Sequence, residues 1–332
     1  MNQDIILEIS NNLNIKPKQV ETVLNLLSEG NTIPFIARYR KEATGALDEE
    51  VIRSINEVYE YQVNLLKRKE DVIRLIEEKG LLTDELKTSI LKCQKLVEVE
   101  DLYRPYKEKK KTKATEAIKN GLEPLAKMMM SFPTTGNLEE MAKKFITENV
   151  ETVEKAVEGA KFIIAEWISD NASYRKWIRS FVFRNGILST KVKKDNKDEK
   201  KVYEMYYDYK EEVRNIKPHR ILAINRAEDE KVITVSIEVN QEEITAYLES
   251  KLIKNKNSFV VNEVIDAIKD SLKRLIYPSI EREIRSELTD KANVVAIENF
   301  GKNVESLLLQ PPMKEKVVLA FDPGYTNGCK LA

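Results

Sequence analysis

Apolar residues recur along most of the chain with the spacing of one helix face. Ile5, Ile6, Ile9 and Leu13 share the side of a first helix. Pro17 opens a second, striped by Val20, Val23, Leu24 and Leu27 and stopped at Gly30. Thr32-Ile33-Pro34 restarts the chain into PFIARYRKEA. Asp48 has the place of an N-cap for a long helix carrying Val51, Ile55, Val58, Leu65, Val72 and Ile76, with Gly80 past its end. Thr83 caps a helix whose buried face reads Leu86, Ile90, Cys93 and Val97. Pro105 stops it, and YRPYKEKKKTK reads as a loop. Short helices follow, one ending at Gly121 and one opening at Pro124. Val153, Val157, Ala160, Ile164 and Ile168 mark another, and Ser169-Asp170-Asn171 separates it from a helix striped by Tyr174, Trp177, Ile178 and Phe181. So short a break predicts an αα-hairpin or a helix-turn-helix-like unit.

After Gly186 the pattern changes. VITVSIEV (232–239) alternates apolar and polar residues and reads as a strand, with ILSTKV (187–192) as its antiparallel partner. Helices resume near Val261, break at Tyr277-Pro278 and continue from Ser279 to Leu309. KVVLAF (316–321) then reads as a short buried strand running into Asp322-Pro323-Gly324. The expected fold is mainly α: a multi-lobed helical scaffold with helix-turn-helix-like units and a small antiparallel β element.

Composition narrows the chemistry. The 332 residues suggest about two domains. Lys+Arg and Asp+Glu are both 55, so any electrostatic site must be local. Glycine is scarce, at 10 residues, which argues against a turn-rich all-β fold. A single histidine, His219, makes a His-based metal cluster or catalytic triad untenable, and it reads as a loop or capping residue. Cys93 and Cys329 have no CxxC partner and fit a reducing cytoplasm. No apolar run is long enough to span a membrane, and MNQDIILEIS lacks a signal-type core.

Three basic segments are candidate nucleic-acid contacts. YRPYKEKKKTK (103–113) carries Arg104, Lys107, Lys109, Lys110, Lys111 and Lys113 against one acid, Glu108, with Tyr103 and Tyr106 beside them. Bases neutralise phosphates, and rings stack on unpaired bases. Equally, the tyrosines could pack the loop onto a helix while the lysines stay solvated. Arg38, Arg40 and Lys41 form a second group; Arg38 and Lys41 are three apart and would share a helix face. Arg175, Lys176, Arg179 and Arg184 surround the Trp177 stripe as a third, open to the same two readings. Asp322, at the end of an apolar strand, is a weak catalytic candidate. A two-metal site needs several converging carboxylates, and the residues after it contain none.

TIPFIARYRKEATGALDE (32–49), VEDLYRPYKEKKKTKATEAIKNGLEPLA (99–126), HRILAINR (219–226), KRLIYPSIEREIR (273–285), LLLQPP (307–312) and DPGYTNGCKLA (322–332) resemble the bacterial Tex family of transcription accessory proteins. The motifs run in order through almost the whole chain. The resemblance implies a protein about twice this length: an N-terminal helical region with helix-turn-helix character, then an RNase H-like YqgF domain, a helix-hairpin-helix domain and an RNA-binding OB fold. It divides this chain into an N-terminal helical region (1–185), a second helical region with the β element (186–312), and the start of a truncated YqgF domain (313–332). Thr326-Asn327 stands where that domain's opening typically has Arg-Thr. Lysines in the basic loop replace arginines of many members, keeping charge but weakening bidentate phosphate recognition.

The expected function is that of a nucleic-acid-binding transcription accessory factor, with single-stranded RNA or DNA as its partner and RNA favoured. The chain is expected not to be an enzyme, to need no cofactor or metal, and to bind no membrane. Two alternatives remain open: part of a metal-dependent RNase H-like nuclease, or a helical adaptor for RNA polymerase or ribosomal partners.

Overall fold

The computed structural model describes residues 2–109, 111–195, 198–311, 314–324 and 328–332. The chain divides into two compact units, each entered twice: Met1–Ser180 with Gln241–Pro278, and Phe181–Asn240 with Ser279–Ala332.

The first unit opens with α1 (Gln3–Leu13) and α2 (Pro17–Ser28), then α3 (Ile33–Tyr39), α4 (Lys41–Thr44) and the long α5 (Glu49–Glu77). Asn2 accepts a hydrogen bond from the Asp4 amide at 3.0 Å and caps α1. Asp48 caps α5 by accepting from the Val51 amide at 2.8 Å, as its position in the sequence suggests. Ile5, Ile6, Ile9, Val20, Val23, Ile36, Ile52 and Ile55 form one core. Each such side chain contributes ~1.5–3 kcal/mol when fully buried.

The second half of α5 packs with α6 (Asp84–Lys92) and α7 (Leu96–Tyr103) around Leu65, Val72, Ile76, Ile90, Val99 and Tyr103. The single helix expected beyond Thr83 is two. Cys93 is extended (ψ 136°), the axis changes, and Val99 takes the buried place expected of Val97. A third group follows: α8 (Lys113–Lys119), α9 (Glu123–Met130), α10 (Leu138–Lys143), α11 (Val153–Ser169) and α12 (Ala172–Asn185). Buried Ala156, Ala160, Ile163 and Ile164 make α11 the element on which α8, α9 and α10 pack.

In the second unit, β1 (Ile187–Val192) pairs antiparallel with β3 (Ile233–Glu238), with Leu188 opposite Ile237. This is the expected pair. A third strand, β2 (Lys210–Glu212), joins the other edge of β1 and was not foreseen, because KEE carries no apolar alternation. Helix α13 (Pro218–Asp229) covers β3 through the face that carries Ile221, Ile224 and Ala227. The sequence pattern assigns no element here, and His219, expected in a loop or cap, lies in the exposed first turn of this helix.

The first unit is completed by α14 (Gln241–Leu252), also missed, and α15 (Val261–Asp270). No break occurs at Tyr277-Pro278. A π-helical segment, Ser271–Ile276, leads into α16 (Tyr277–Leu308), so the helix absorbs a proline that has no N–H to donate. Ser271 donates to the Ala165 carbonyl at 2.7 Å and ties that segment to α11. In the second unit Ile280, Ile284, Leu288 and Ala292 of α16 are buried, whereas Val294, Ile297, Phe300 and Leu307 beyond them are exposed.

The expected buried strand at 316–321 is not formed. Val317, Val318 and Leu319 are exposed, with no strand pairing of their own among the described residues. The strand is shorter and shifted: β4 (Phe321–Pro323) pairs with β5 (Cys329–Leu331).

Candidate nucleic-acid interface

The α3–α4 corner is built by two local devices. Arg40, at φ −125° and ψ 25°, breaks the helix, so Arg38 and Lys41 do not share one continuous face as their spacing suggested. Gly45, at φ +71°, ends α4 in a conformation that disfavours any Cβ. Gln19 of α2 then donates from Nε2 to the Thr44 carbonyl at 2.8 Å and fixes the corner to the core. A Cβ on Gly45 would lie 2.6 Å from that same nitrogen.

Arg38, Arg40 and Lys41 are all exposed on this corner. Tyr39 is 67% exposed, and its ring centroid lies 5.2 Å from that of Phe35. The Arg40 guanidinium sits 5.2 Å from the Phe35 centroid. Three cations and an open ring therefore project from a rigid turn. The aromatic partner, Phe35, was not singled out in the sequence, although its place four residues before Tyr39 puts the two rings on one helix face.

The basic loop is dressed differently from its sequence. Tyr103 is buried in the α5–α7 core, with the Arg68 guanidinium 5.3 Å from its ring. Tyr106 is half-buried against the same core, and Lys79 donates to its carbonyl at 2.7 Å. Both rings therefore pack the loop and are not open stacking surfaces. Lys109 turns inward to pair with Asp170 and, at 3.2 Å, with Glu166. Thr112 donates to Glu166 at 3.2 Å and caps α8. Burial raises the Asp170 carboxyl above its usual range, against the opposing pull of Lys109. Arg104 adds to the positive field at Asp170. Lys107 and Lys111 remain exposed, Lys113 lies 4.5 Å from the Phe162 centroid, and Lys110 lies outside the described residues.

The third basic segment separates into different roles. Arg175 is fully buried and donates from Nε to Asp101 at 2.8 Å. Arg179 donates to the other oxygen of Asp101 at 2.9 Å. These two arginines join α12 to α7 and are not available to phosphate. Lys176 is exposed and reaches Glu98 at 3.2 Å. Backbone donation from Gln94 chiefly holds the Glu98 carboxyl below its usual range, with Lys176 helping.

Asp322 is exposed and pairs in register with Lys330. Among the described residues no group of three or more His, Cys, Asp or Glu is placed to hold a metal ion. No described helix is long and apolar enough to cross a membrane. Thr326-Asn327 lies outside the described residues.

A family model described as Tex-like protein N-terminal domain matches residues 3–77, and one described as Tex central region-like matches residues 134–300. The uncharacterized protein YdcI of Bacillus subtilis strain 168 is 52% identical over 328 residues, covering 98% of this chain and 46% of that protein. The transcriptional accessory protein Tex of Neisseria gonorrhoeae is 33% identical over 330 residues, covering 98% and 43%. The human S1 RNA-binding domain-containing protein 1 is 31% identical over 349 residues, covering 100% and 35%. The chain thus spans less than half the length of each of these relatives. With the central-region match alone extending over half of its residues, and the N-terminal match beside it, this chain belongs to the Tex family.

Proposed function

We propose that this chain is a single-stranded nucleic-acid-binding scaffold of a cytoplasmic transcription accessory factor, with RNA as the preferred strand. The observation that carries the proposal is the α3–α4 corner, where Arg38, Arg40 and Lys41 are exposed together with the open Tyr39 ring on a turn fixed by Gln19. Cations beside an exposed ring suit a strand without sequence preference: the charges track phosphates and the ring stacks on a base. Lys107 and Lys111 are further exposed cations in the same unit. The names of the relatives support the reading, since one is a transcriptional accessory protein and another contains an S1 RNA-binding domain.

In this reading the chain binds and does not cleave. Labelled single-stranded RNA titrated with the protein should show affinity that falls linearly in log–log plots against salt. With Mg²⁺ present the RNA should stay intact. Cleavage that disappears in Asp322→Asn would assign the chain a nuclease role instead.

A further inference from the structure

A cavity of about 250 Å³ lies against α8 and α11, away from the α3–α4 corner in sequence and lined by none of its residues. Its floor is apolar. Leu122 and Val150 are buried, and Gly159 lets the α8–α9 turn approach α11 closely. A Cβ on Gly159 would fall 2.3 Å from Leu122 Cδ1.

The rim is polar and held by tight turns. Asn120 ends α8, and Gly121 at φ +79° turns the chain behind it. Asn149 sits in a turn closed by two backbone hydrogen bonds of 3.0 Å between Thr147 and Val150. Glu116 and Glu158 add two exposed carboxylates, and the Phe162 ring forms a wall with Lys113 Nζ 4.5 Å from its centroid.

This set of groups is selective about what it can complement. A bare phosphate would meet two carboxylates as well as Lys113, and the second lysine of the rim, Lys155, is already paired with Glu151 at 2.6 Å. An apolar ligand would strand the amides and acids without partners. A planar heterocycle on a charged backbone satisfies them all. The ring lies on the apolar floor beside Phe162, the carboxamides offer both donors and acceptors to its edge, and Lys113 meets the adjoining phosphate. The ionised glutamates only accept, so they favour rings with an exocyclic amine, which offers two N–H donors where uracil offers its single ring N–H.

We propose that the cavity between α8 and α11 holds one unstacked base of a single-stranded nucleic acid and prefers amine-bearing bases, such as cytosine, over uracil. The proposal rests on the single-stranded nucleic-acid reading above and adds a base-selective subsite to it.

The test uses fluorescence anisotropy with labelled oligo(C) and oligo(U) RNA 12-mers on the whole chain. These probes share ring size and backbone but present an amine in one case and a carbonyl in the other. Oligo(C) should bind about tenfold more tightly, the effect of one charge-assisted hydrogen bond. A Glu116→Gln/Glu158→Gln double variant should erase the preference while leaving the salt slope of oligo(U) unchanged. Asn120→Ala should weaken oligo(C) more than oligo(U). All three positions are on the rim, so melting temperatures should stay at the wild-type value; a fallen one directs the test to Asn120→Ala alone. Equal binding of the two probes by the wild-type chain, with a normal salt slope, overturns the subsite and spares the broader reading. No binding of either probe overturns both.

Discussion

Arg175 is fully buried against Asp101, while Lys176 beside it keeps 74% of its side chain exposed. Arg175→Met removes a cation from a pair already desolvated and leaves Asp101 dependent on Arg179. It should cost about 3–5 kcal/mol in urea unfolding. Lys176→Ala should stay within about 0.5 kcal/mol. Lys109 gives a second contrast. Lys109→Met leaves Glu166 and Asp170 facing each other and should cost about 1–3 kcal/mol, less than a fully buried pair because the lysine is partly solvated. Burial already raises the Asp170 carboxyl in the folded chain. The folded state therefore binds that proton more tightly than the unfolded one, and this contribution is present at low pH and lost as pH rises. The Lys109→Met deficit should be largest near neutrality and shrink toward pH 4; a deficit that grows on acidification would contradict the assignment. At this scale the sequence showed that lysines, arginines and tyrosines cluster. It could not show which cations turn inward, because that depends on carboxylates about 60 to 80 residues away.

Among the elements, the helices with a strong apolar stripe and a side-chain cap were legible. Asp48 at the start of α5 and the 153–169 stripe of α11 are instances. Those missed lacked one of these signals. The α13 sequence carries mixed charge between its three buried positions, and β2 is a polar edge strand set by pairing with β1. The π-helical passage through Pro278 was invisible because a proline within a helical pattern ordinarily signals a break. Close approach between elements was equally hidden. Gly159 sits in mid-helix, where glycine costs about 1 kcal/mol relative to alanine. Its reason is Leu122, packed against it. Gly159→Ala should therefore destabilise the chain by about 1–3 kcal/mol instead of stabilising it, as measured by chemical denaturation. A gain in stability would show that Leu122 yields easily and that the α8–α11 approach is loose.

For the whole molecule, equal numbers of acids and bases conceal local asymmetry. Many cations are consumed internally: Arg175 and Arg179 by Asp101, Lys109 by Asp170 and Glu166, Arg285 by Glu228. Others stay outward, among them Arg38, Arg40 and Lys41 at the α3–α4 corner. Family membership was legible in motifs such as TIPFIARYRKEATGALDE, because those segments combine caps, glycine turns and core positions that fix the geometry of the corner. The exposure of Tyr39 and the stacking of Arg40 on Phe35 needed the structure.

The most direct test of the account is the salt dependence of single-stranded RNA binding by the wild-type chain and by an Arg38→Glu/Arg40→Glu/Lys41→Glu variant. The corner is exposed, so the variant should melt within a few degrees of wild type. Its affinity should fall at least tenfold, and its log–log salt slope should flatten by about 2, the value for three phosphates at ~0.7 each. Tyr39→Ala should weaken binding while leaving that slope intact, since stacking is worth ~1–3 kcal/mol without releasing counterions. Unchanged affinity and slope in the folded triple variant would contradict the central claim that the α3–α4 corner is where this chain meets nucleic acid.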